Sequence, residues 1–445
     1  MTADPVQLMK ELIRNACVND GTESSGNEER SVATLRDFFE APGEVFEPSP
    51  GRQSLIYRIA GTDPKAPTLA LVPHLDVVPA DPASWSVDPF AGEEVDGVVY
   101  GRGAVDMLNV TAAMAAAAAP YIRGEDVLAN DLVFAAVADE ENAGGLGAKR
   151  LVDDRWDLVE AEYLLTEVAY PALPGSEGSL IPVAVGEKGG FWSRLTTIGV
   201  PGHGSSPYGS DNAIRPLVDA VTGIFETPMP VTPWPGWDAF ISALDLGKET
   251  RDRLLGPDSL DDAIEEVGLD DPLLARYLHA LSHLTFSPNV IRAGTKMNVI
   301  ADQAEAQIDV RATPGVTRHD VDDFLRKAMG SAADRVEIEP IADHVATVSP
   351  IDPNPLWEAI ADSVEADLGH RRLLPTMMSV STDARFWRSR GTVCYGVGVF
   401  DNKLGFSEML SLFHGHDERV GAESVRMTAR LYEGVLRRFG ELVSS

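Results

Sequence analysis

Cysteine is scarce in this chain, basic residues are outnumbered, and no apolar run is long; each shortage excludes a class of protein. Cys17 and Cys394 allow at most one disulfide in 445 residues, so we expect a reduced, cytoplasmic setting. Lys and Arg number 37 against 69 Asp and Glu, and the formal net charge is −32. Such a chain repels nucleic acids and anionic lipid surfaces, so neither is an expected partner. The alanine-rich run Ala112–Ala119 ends at Pro120, too short for a transmembrane helix.

Length and the order of the elements predict the fold class. A chain of 445 residues exceeds the size at which one core stops growing, so two domains are expected. Strands are predicted at residues 54–61, 67–76, 131–141 and 161–169, and the helices among them at 109–124 and 143–154. This alternation predicts an α/β fold, with a mostly parallel sheet, helices on both faces and the chemistry at the carboxyl ends of the strands.

A second pattern occupies the middle of the chain. From residue 190 to 341 the predicted elements follow the order β-α-β-β-α-β, which is typical of a ferredoxin-like α+β module. A long helical and acidic segment, Pro228 to His283, interrupts this module. The final residues return to the first pattern, so the module is inserted into the larger domain. The predicted boundaries are 1–187 and 345–445 for the two parts of the catalytic domain, and 188–344 for the inserted domain.

Residues of the types that bind metal ions follow the predicted buried strands. His74 and Asp76 follow one strand, and the acidic residues Asp139, Glu140 and Glu141 follow another. The remaining candidates are Asp106, Glu167 and His414. Taken singly, each has an ordinary alternative, because acidic residues at strand ends commonly face water or cap a helix. Parallel strands bring their carboxyl ends to one edge, so imidazoles and carboxylates are expected to converge there and to suit zinc or a similar divalent ion.

The motifs, taken in order, resemble those of a known enzyme family. They are HLDVVPA at 74–80, GRGAVD at 101–106, DEE at 139–141, Glu167, GVPGHGSSP at 199–207, and His414 with Glu418 four residues later. Together they are similar to the dinuclear zinc amidohydrolases and peptidases, a family that includes aminoacylase, carboxypeptidase G, acetylornithine deacetylase, succinyl-diaminopimelate desuccinylase and carnosinase-like dipeptidases. The resemblance covers nearly the whole chain. It implies an enzyme that hydrolyses a peptide or amide bond.

The resemblance also implies a cofactor of two divalent metal ions, Zn²⁺ in the first place, with Co²⁺ or Mn²⁺ as alternatives. Asp106 is expected to bridge the two ions. The other implied ligands are His74 and Glu167 at one site, and Glu141 and His414 at the other. His416 competes with His414 as a ligand, but the family pattern of a histidine four residues before a glutamate selects His414.

Three catalytic roles are implied in the same way. The carboxylate of Asp76 is expected to hold the His74 ring from behind. Glu140 is expected to be the general base, which takes a proton from the attacking water and passes it to the leaving amine. His203 is expected to reach across a homodimer and stabilise the oxyanion in the partner's site, which makes the inserted domain a lid and dimerisation domain. The alternative for His203 is a turn histidine that faces solvent.

The family also places Asn298, Arg311, Thr382 and Arg385 against the substrate. Arg311 could pair bidentately with a substrate carboxylate, or form an ordinary hinge salt bridge. Many members carry a lysine two residues after the bridging aspartate, where this chain has Leu108. The long insert favours a small carboxylate-bearing substrate, a dipeptide or an N-acyl amino acid. The alternatives are a deacylase such as acetylornithine deacetylase or succinyl-diaminopimelate desuccinylase, and a non-catalytic metal-binding homologue.

Overall fold

A computed structural model describes residues 4–22, 24–167, 169–401 and 403–444. The helices are α1 (Pro5–Asn15), α2 (Glu29–Phe39), α3 (Leu108–Ile122), α4 (Ala148–Asp154), α5 (Trp156–Val159), α6 (Ile214–Glu226), α7 (Trp237–Ala243), α8 (Lys248–Leu254), α9 (Leu260–Asp270), α10 (Pro272–Ser282), α11 (Arg318–Met329), α12 (Pro355–Leu368), α13 (Ala384–Arg388), α14 (Phe406–Leu412) and α15 (Ala422–Val443). Short 3₁₀ turns lie at Pro82–Ser84, Glu140–Asn142 and Gly330–Arg335.

The strands are β1 (Glu44–Phe46), β2 (Ser54–Ile59), β3 (Leu69–Val72), β4 (Glu93–Val95), β5 (Val98–Tyr100), β6 (Leu132–Ala136), β7 (Tyr163–Thr166), β8 (Leu173–Gly175), β9 (Gly178–Glu187), β10 (Gly189–Gly190), β11 (Ser193–Ile198), β12 (Gly202–His203), β13 (Thr285–Ala293), β14 (Val299–Ile300), β15 (Gln303–Ala312), β16 (Val336–Pro340), β17 (Thr347–Val348), β18 (Leu373–Met378), β19 (Val393–Val397) and β20 (Arg419–Gly421).

The larger sheet is built around four parallel strands in the order β6, β3, β7 and β19. Antiparallel strands extend it on both sides, with β2 and β1 beyond β6, and β9 beyond β19. Because the central strands share one direction, their carboxyl ends lie along one edge of the sheet. The predicted mostly parallel sheet is confirmed. The residues predicted to bind metal ions lie along this edge.

Side chains of the central strands alternate between two cores, as the pleat of a strand requires. Leu69 and Leu71 of β3 lie in the core that includes α1, α3 and α15. Ala70 and Val72 of the same strand lie in the core that includes α4, α5 and α13. Helices therefore cover both faces of the sheet, as predicted.

A second sheet has its own core. Its strands are ordered β13, β15, β11 and β16, and every neighbouring pair is antiparallel. Along β15 every second residue is buried. These buried residues share a core with Leu195 of β11, Leu217 of α6 and Leu325 of α11. Apolar and polar residues alternate along β15, and burial follows the same period of two.

The segment between α6 and β13 packs on the larger sheet instead. Trp237, Phe240 and Leu278 lie in the same core as Leu69. The hydroxyl of Tyr277 in α10 donates to the carbonyl oxygen of Met377 in β18 at 2.9 Å. An amphipathic helix must bury its apolar stripe, but the stripe does not reveal which core receives it. The boundaries 188–344 of the inserted domain stay a prediction, and the helices α7 to α10 within them share the core of the larger domain.

Cys17 and Cys394 are both buried and carry free thiols. Over the described ranges, no helix combines the length and the apolar character that a membrane crossing requires.

Candidate metal centre

Loops at the carboxyl edge of the parallel strands bring the five predicted ligand residues together. They are His74 after β3, Asp106 before α3, Glu141 after β6, Glu167 after β7 and His414 after α14. Possible ligand atoms of these residues form two groups, His74 with Asp106 and Glu167, and Asp106 with Glu141 and His414. Within each group the atoms lie within 4.8 Å of one another. Asp106 belongs to both groups, which is the arrangement that a bridging ligand requires.

The two carboxylate oxygens of Asp106 face different histidines. Oδ1 lies 3.2 Å from Nε2 of His74, and Oδ2 lies 3.3 Å from Nε2 of His414. Oε2 of Glu167 lies 3.9 Å from the same nitrogen of His74, and Oε2 of Glu141 lies 3.1 Å from that of His414. Each histidine therefore has its own glutamate, and the aspartate joins the two pairs.

The chemistry of these residues fits two divalent ions. Imidazole nitrogen and carboxylate oxygen are the donors that zinc and similar ions prefer when thiolates are absent. Oε1 of Glu141 is buried and has no hydrogen-bond partner among the described residues. Burial, followed by the charge of Asp106, raises the pKa of Glu141 to about 7 and that of Glu167 well above its ordinary range. So many buried carboxylates are stable together when cations balance their charge.

Asp76 supports the site differently from the prediction. The Nδ1 atom of His74 lies 3.0 Å from the backbone carbonyl oxygen of Asp76, whereas the carboxylate is 3.7 Å away. The carboxylate instead accepts the backbone N–H groups of Glu140 and Glu141, at 3.1 and 3.2 Å. Asp76 thus holds the His74 ring with its carbonyl and the acidic turn with its side chain.

Glu140 lies beside the ligands and belongs to neither group of possible ligands among the described residues. Burial, the charge of Glu167 and other nearby acids raise its pKa well above the ordinary value. Its backbone is fixed by the hydrogen bond to Asp76 described above. Leu108 is buried in the core of the larger domain, and its side chain lies close to Gly103.

Glu418 is a supporting residue that sequence reasoning used as a marker of His414 and gave no function. Its buried carboxylate accepts backbone N–H groups from Gly103, Val105 and Asp106 at 3.1, 2.7 and 3.0 Å. It also accepts from Nη1 of Arg102 at 2.7 Å. The turn that carries Asp106 is therefore held by the residue directly before β20. The sequence signal for this role was the position of Glu418, four residues after His414.

His203 ends β12, which pairs with β14 in a separate two-stranded ribbon, and Asn298 directly precedes β14; both side chains are exposed. Nδ1 of His203 lies 2.7 Å from the hydroxyl of Ser205. The backbone N–H of Gly204 donates to the carbonyl oxygen of Asn298 at 2.9 Å. The turn that follows β12 therefore lies beside Asn298. None of the hydrogen bonds found for them in the described chain joins them to the five ligand residues.

Arg311 forms an ion pair within its own strand. Its Nε donates to Oδ1 of Asp309 at 2.7 Å, and Nη1 lies 3.4 Å from the hydroxyl of Ser381. The guanidinium also lies over the ring of Trp192, 5.2 Å from its centroid. A substrate-binding role for Arg311 stays a prediction.

Thr382 and Arg385 are buried and bonded within the chain. The backbone N–H and hydroxyl of Thr382 both donate to the carboxylate of Glu187, at the end of β9. Arg385 donates to the carbonyl oxygens of Thr382 and Ala143, each at 2.7 Å. Arg385 thus ties the 381–385 loop to the turn that carries Glu140 and Glu141. Contacts of these two residues with a substrate stay predictions.

Comparison with known proteins identifies the family. The model described as "Peptidase family M20/M25/M40" matches residues 70–438. The chain belongs to this family. The predicted resemblance is confirmed, and with it the prediction that the chain is an enzyme, a metallopeptidase or amidohydrolase acting on amide bonds.

Curated relatives and solved structures agree with this membership. Succinyl-diaminopimelate desuccinylase of Paracoccus denitrificans (strain Pd 1222) is 28% identical over 444 residues, covering 98% of each chain. N-fatty-acyl-amino acid synthase/hydrolase PM20D1 of Homo sapiens is 28% identical over 454 residues, covering 94% of this chain and 84% of the relative. The M20 family metallo-carboxypeptidase Sso-CP2 from Sulfolobus solfataricus matches with a TM-score of 0.72 at 16% identity, over 99% of this chain and 100% of that one. At that identity, the structural match shows the fold.

Proposed function

We propose that this enzyme hydrolyses the amide bond of a small substrate with a free carboxylate, either a dipeptide or an N-acyl amino acid. The observation that carries the proposal is the pair of ligand groups that share Asp106, with Glu140 beside them and outside both. Two divalent ions bound there, Zn²⁺ before Co²⁺ or Mn²⁺, supply Lewis acidity for the scissile carbonyl and for the attacking water.

The protein's own contribution to the reaction centres on Glu140. Its carboxylate takes the proton of the attacking water and delivers it to the leaving amine. Burial and nearby acids raise the pKa of Glu140 in the metal-free protein, and a carboxylate held beside the ligands but outside both groups is placed for proton transfer. Asp76 fixes the backbone of Glu140 and of Glu141, so each side chain keeps its own direction and its own proposed task.

A dedicated deacylase, which removes the acyl group from an N-acyl amino acid and does not cleave peptides, is the second candidate. Both sequence relatives are named for such substrates, as a succinyl-diaminopimelate desuccinylase and an N-fatty-acyl-amino acid synthase/hydrolase. Peptide and acyl-amide hydrolysis use the same carbonyl chemistry, so the site does not separate them. The non-catalytic alternative is disfavoured because every predicted ligand and Glu140 are present.

A substrate panel separates the candidates. We expect the purified, zinc-loaded protein to hydrolyse at least one of three groups: dipeptides, N-acetyl or longer N-acyl amino acids, and N-succinyl diaminopimelate. The preferred group is the one with the highest kcat/KM. The metal-free protein is the matched control. The absence of hydrolysis across the panel, in protein that holds two zinc ions per chain, would contradict the proposal.

We also propose that the second sheet and its helices form a lid that joins two copies of the chain. Helix α6 exposes Ile214, Val218 and Phe225 to 38%, 47% and 68%. β13 is an edge strand, since its partner in the described sheet is β15 alone. An apolar helix face beside an open strand edge suits an isologous contact with a second copy. In such a dimer His203 enters the partner's site and donates to the developing oxyanion.

The dimer has a direct test. Phe225→Asp should convert a parent of twice the chain mass into a monomer, measured by light scattering, and should lower hydrolysis strongly. Leu269→Asp is the control, because Leu269 is 85% exposed on α9, away from this face. A monomeric Phe225→Asp variant with full activity would exclude a role for His203 in the partner's site.

A further inference from the structure

The turn after β6 gives neighbouring glutamates different proposed tasks, Glu140 as base and Glu141 as ligand. Asp139 before them and Ala143 after them are both left-handed, with φ of 69° and 67°. Non-glycine residues adopt this conformation where surrounding contacts fix the backbone. The two hydrogen bonds to the Asp76 carboxylate are one such contact. What fixes Asp76 and Asp139 in turn therefore decides where both glutamates point.

Asn19 joins these two aspartates. Its Nδ2 donates to Oδ2 of Asp76 at 2.8 Å and to Oδ1 of Asp139 at 3.1 Å. All three side chains are buried, with exposures of 4%, 0% and 1% for Asn19, Asp76 and Asp139. Carboxylates accept hydrogen bonds and cannot donate to each other when ionised, so the amide supplies the two protons that let them lie close together.

The other end of Asn19 is anchored in its own loop. Its Oδ1 accepts the backbone N–H of Gly21 at 3.1 Å and the hydroxyl of Ser25 at 3.3 Å. The amide is thus satisfied on both sides, and its orientation is determined by its partners. The loop between α1 and α2 reaches the site through this side chain.

A buried cation completes the network on the far side of Asp139. Nη2 of Arg52, 1% exposed, lies 2.8 Å from Oδ1 of Asp139 and 2.8 Å from Oε1 of Glu28. Oδ2 of Asp139 accepts the backbone N–H of Leu146 at 2.7 Å. Asp139 is therefore held by Arg52, Leu146 and Asn19, and Asn19 is a side chain that hydrogen-bonds the carboxylates of both Asp139 and Asp76.

We propose that Asn19 is a positioning residue for the reaction: its amide clamps Asp76 to Asp139 and so directs Glu141 to the metal pair and Glu140 to the substrate. The inference rests on the proposed function for the two glutamates. It concerns a residue that touches neither metal nor substrate, and it predicts an effect on metal binding as well as on turnover. Partners behind metal ligands commonly contribute about 10-fold to 100-fold to affinity or activity.

The test uses two substitutions that distinguish hydrogen bonding from packing. Asn19→Ala leaves a small cavity, whereas Asn19→Leu keeps nearly the same volume and removes both donors. Asn15→Ala is the matched control, because the Asn15 amide also bridges two side chains, Ser31 and Thr34 at 3.2 and 3.0 Å, in the same region of the chain. Zinc affinity is measured by competition with a chelator, kcat and KM with the preferred substrate, and thermal stability on the metal-free proteins.

We expect both Asn19 variants to bind zinc about 10-fold more weakly and, at saturating zinc, to lose about 10-fold to 100-fold in kcat with little change in KM. Asn15→Ala should lower thermal stability at most. Asn19→Leu with parental zinc affinity and kcat would overturn the proposal, since packing alone would then be enough. Equal losses in Asn15→Ala would overturn it as well.

Two further readouts keep the outcome decisive. Ser25→Ala, at a half-buried hydroxyl, removes one anchor of Asn19 and should give a smaller loss of zinc affinity in the same direction. If the Asn19 variants do not fold, an unchanged zinc affinity in Ser25→Ala contradicts the proposal. Zinc affinity is measured without substrate, so a parent enzyme that hydrolyses nothing would contradict the proposed function and leave this comparison valid.

Discussion

The metal edge and the β12–β14 ribbon carry the two halves of the proposed chemistry and are built in opposite ways. At the metal edge, side chains from distant parts of the chain converge, and Glu418, Asp76 and neighbouring residues hold their backbones by hydrogen bonds. On the ribbon, His203 is exposed at the end of the two-residue strand β12, and Asn298 is exposed directly before the two-residue strand β14. One chain therefore preorganises the residues of its metal centre, whereas His203, in the role proposed for it, would need a partner surface to place it.

The largest effect should follow from removing the shared ligand. Asp106→Asn takes a carboxylate from both ligand groups at once, so we expect the loss of both zinc ions and of about 1,000-fold or more in kcat/KM, which corresponds to several kcal/mol. Metal analysis and the amide-hydrolysis assay measure this. Asp126→Asn, in an exposed loop, should change neither quantity. Retention of one full zinc equivalent by Asp106→Asn would argue against a bridging role.

A smaller effect is expected on the ribbon. His203→Ala should lower kcat by about 100-fold to 1,000-fold, the usual effect of losing an oxyanion donor, with both zinc ions retained. His319→Ala is the control, since His319 is exposed on α11, which packs on the second sheet. Mixing His203→Ala with an inactive Glu140 variant should restore part of the activity if the histidine acts in the partner's site. A failure of this mixture to recover any activity would count against action in trans.

The smallest effect concerns pH and the metal edge alone. In the metal-free protein, burial raises the pKa of Glu141 to about 7, and hydrogen bonds with Asp106 and Glu141 raise that of His414 to about 10. The folded state then binds more protons than the unfolded chain between about pH 4.5 and pH 10, so its stability falls as pH rises through this window. Bound metal replaces these protons. The gap in melting temperature between zinc-loaded and metal-free protein should widen from about pH 5 to about pH 8, and a constant gap would contradict this balance.

The sequence was most informative where topology converts position into proximity. His74 and Glu141 could be predicted to meet because parallel strands deliver their carboxyl ends to one edge. The motif order then identified Asp106 and His414, which lie in loops and follow no periodic rule. The loop residues were therefore predicted from the family resemblance, and the residues at strand ends from the topology of the sheet.

Three features could not be predicted because they depend on contacts that have no signature in the sequence. The choice of Asp76 between the His74 ring and the backbone of Glu140 is set by loop geometry of a few tenths of an ångström. Asn19 is a single amide in a polar loop, where such residues are common. Helices α7 to α10 have an apolar stripe, but either core would bury it, and the structure places it on the larger one.

In the proposed mechanism the metal edge divides ligands from base, because Glu140 works beside ions that it does not bind. The most direct measurement is the zinc content and turnover of Glu140→Gln, which keeps the size of the side chain and removes its basicity. We expect this variant to hold two zinc ions per chain and to lose about 100-fold to 10,000-fold in kcat. Unchanged amide hydrolysis by Glu140→Gln, or loss of its zinc, would contradict this mechanism.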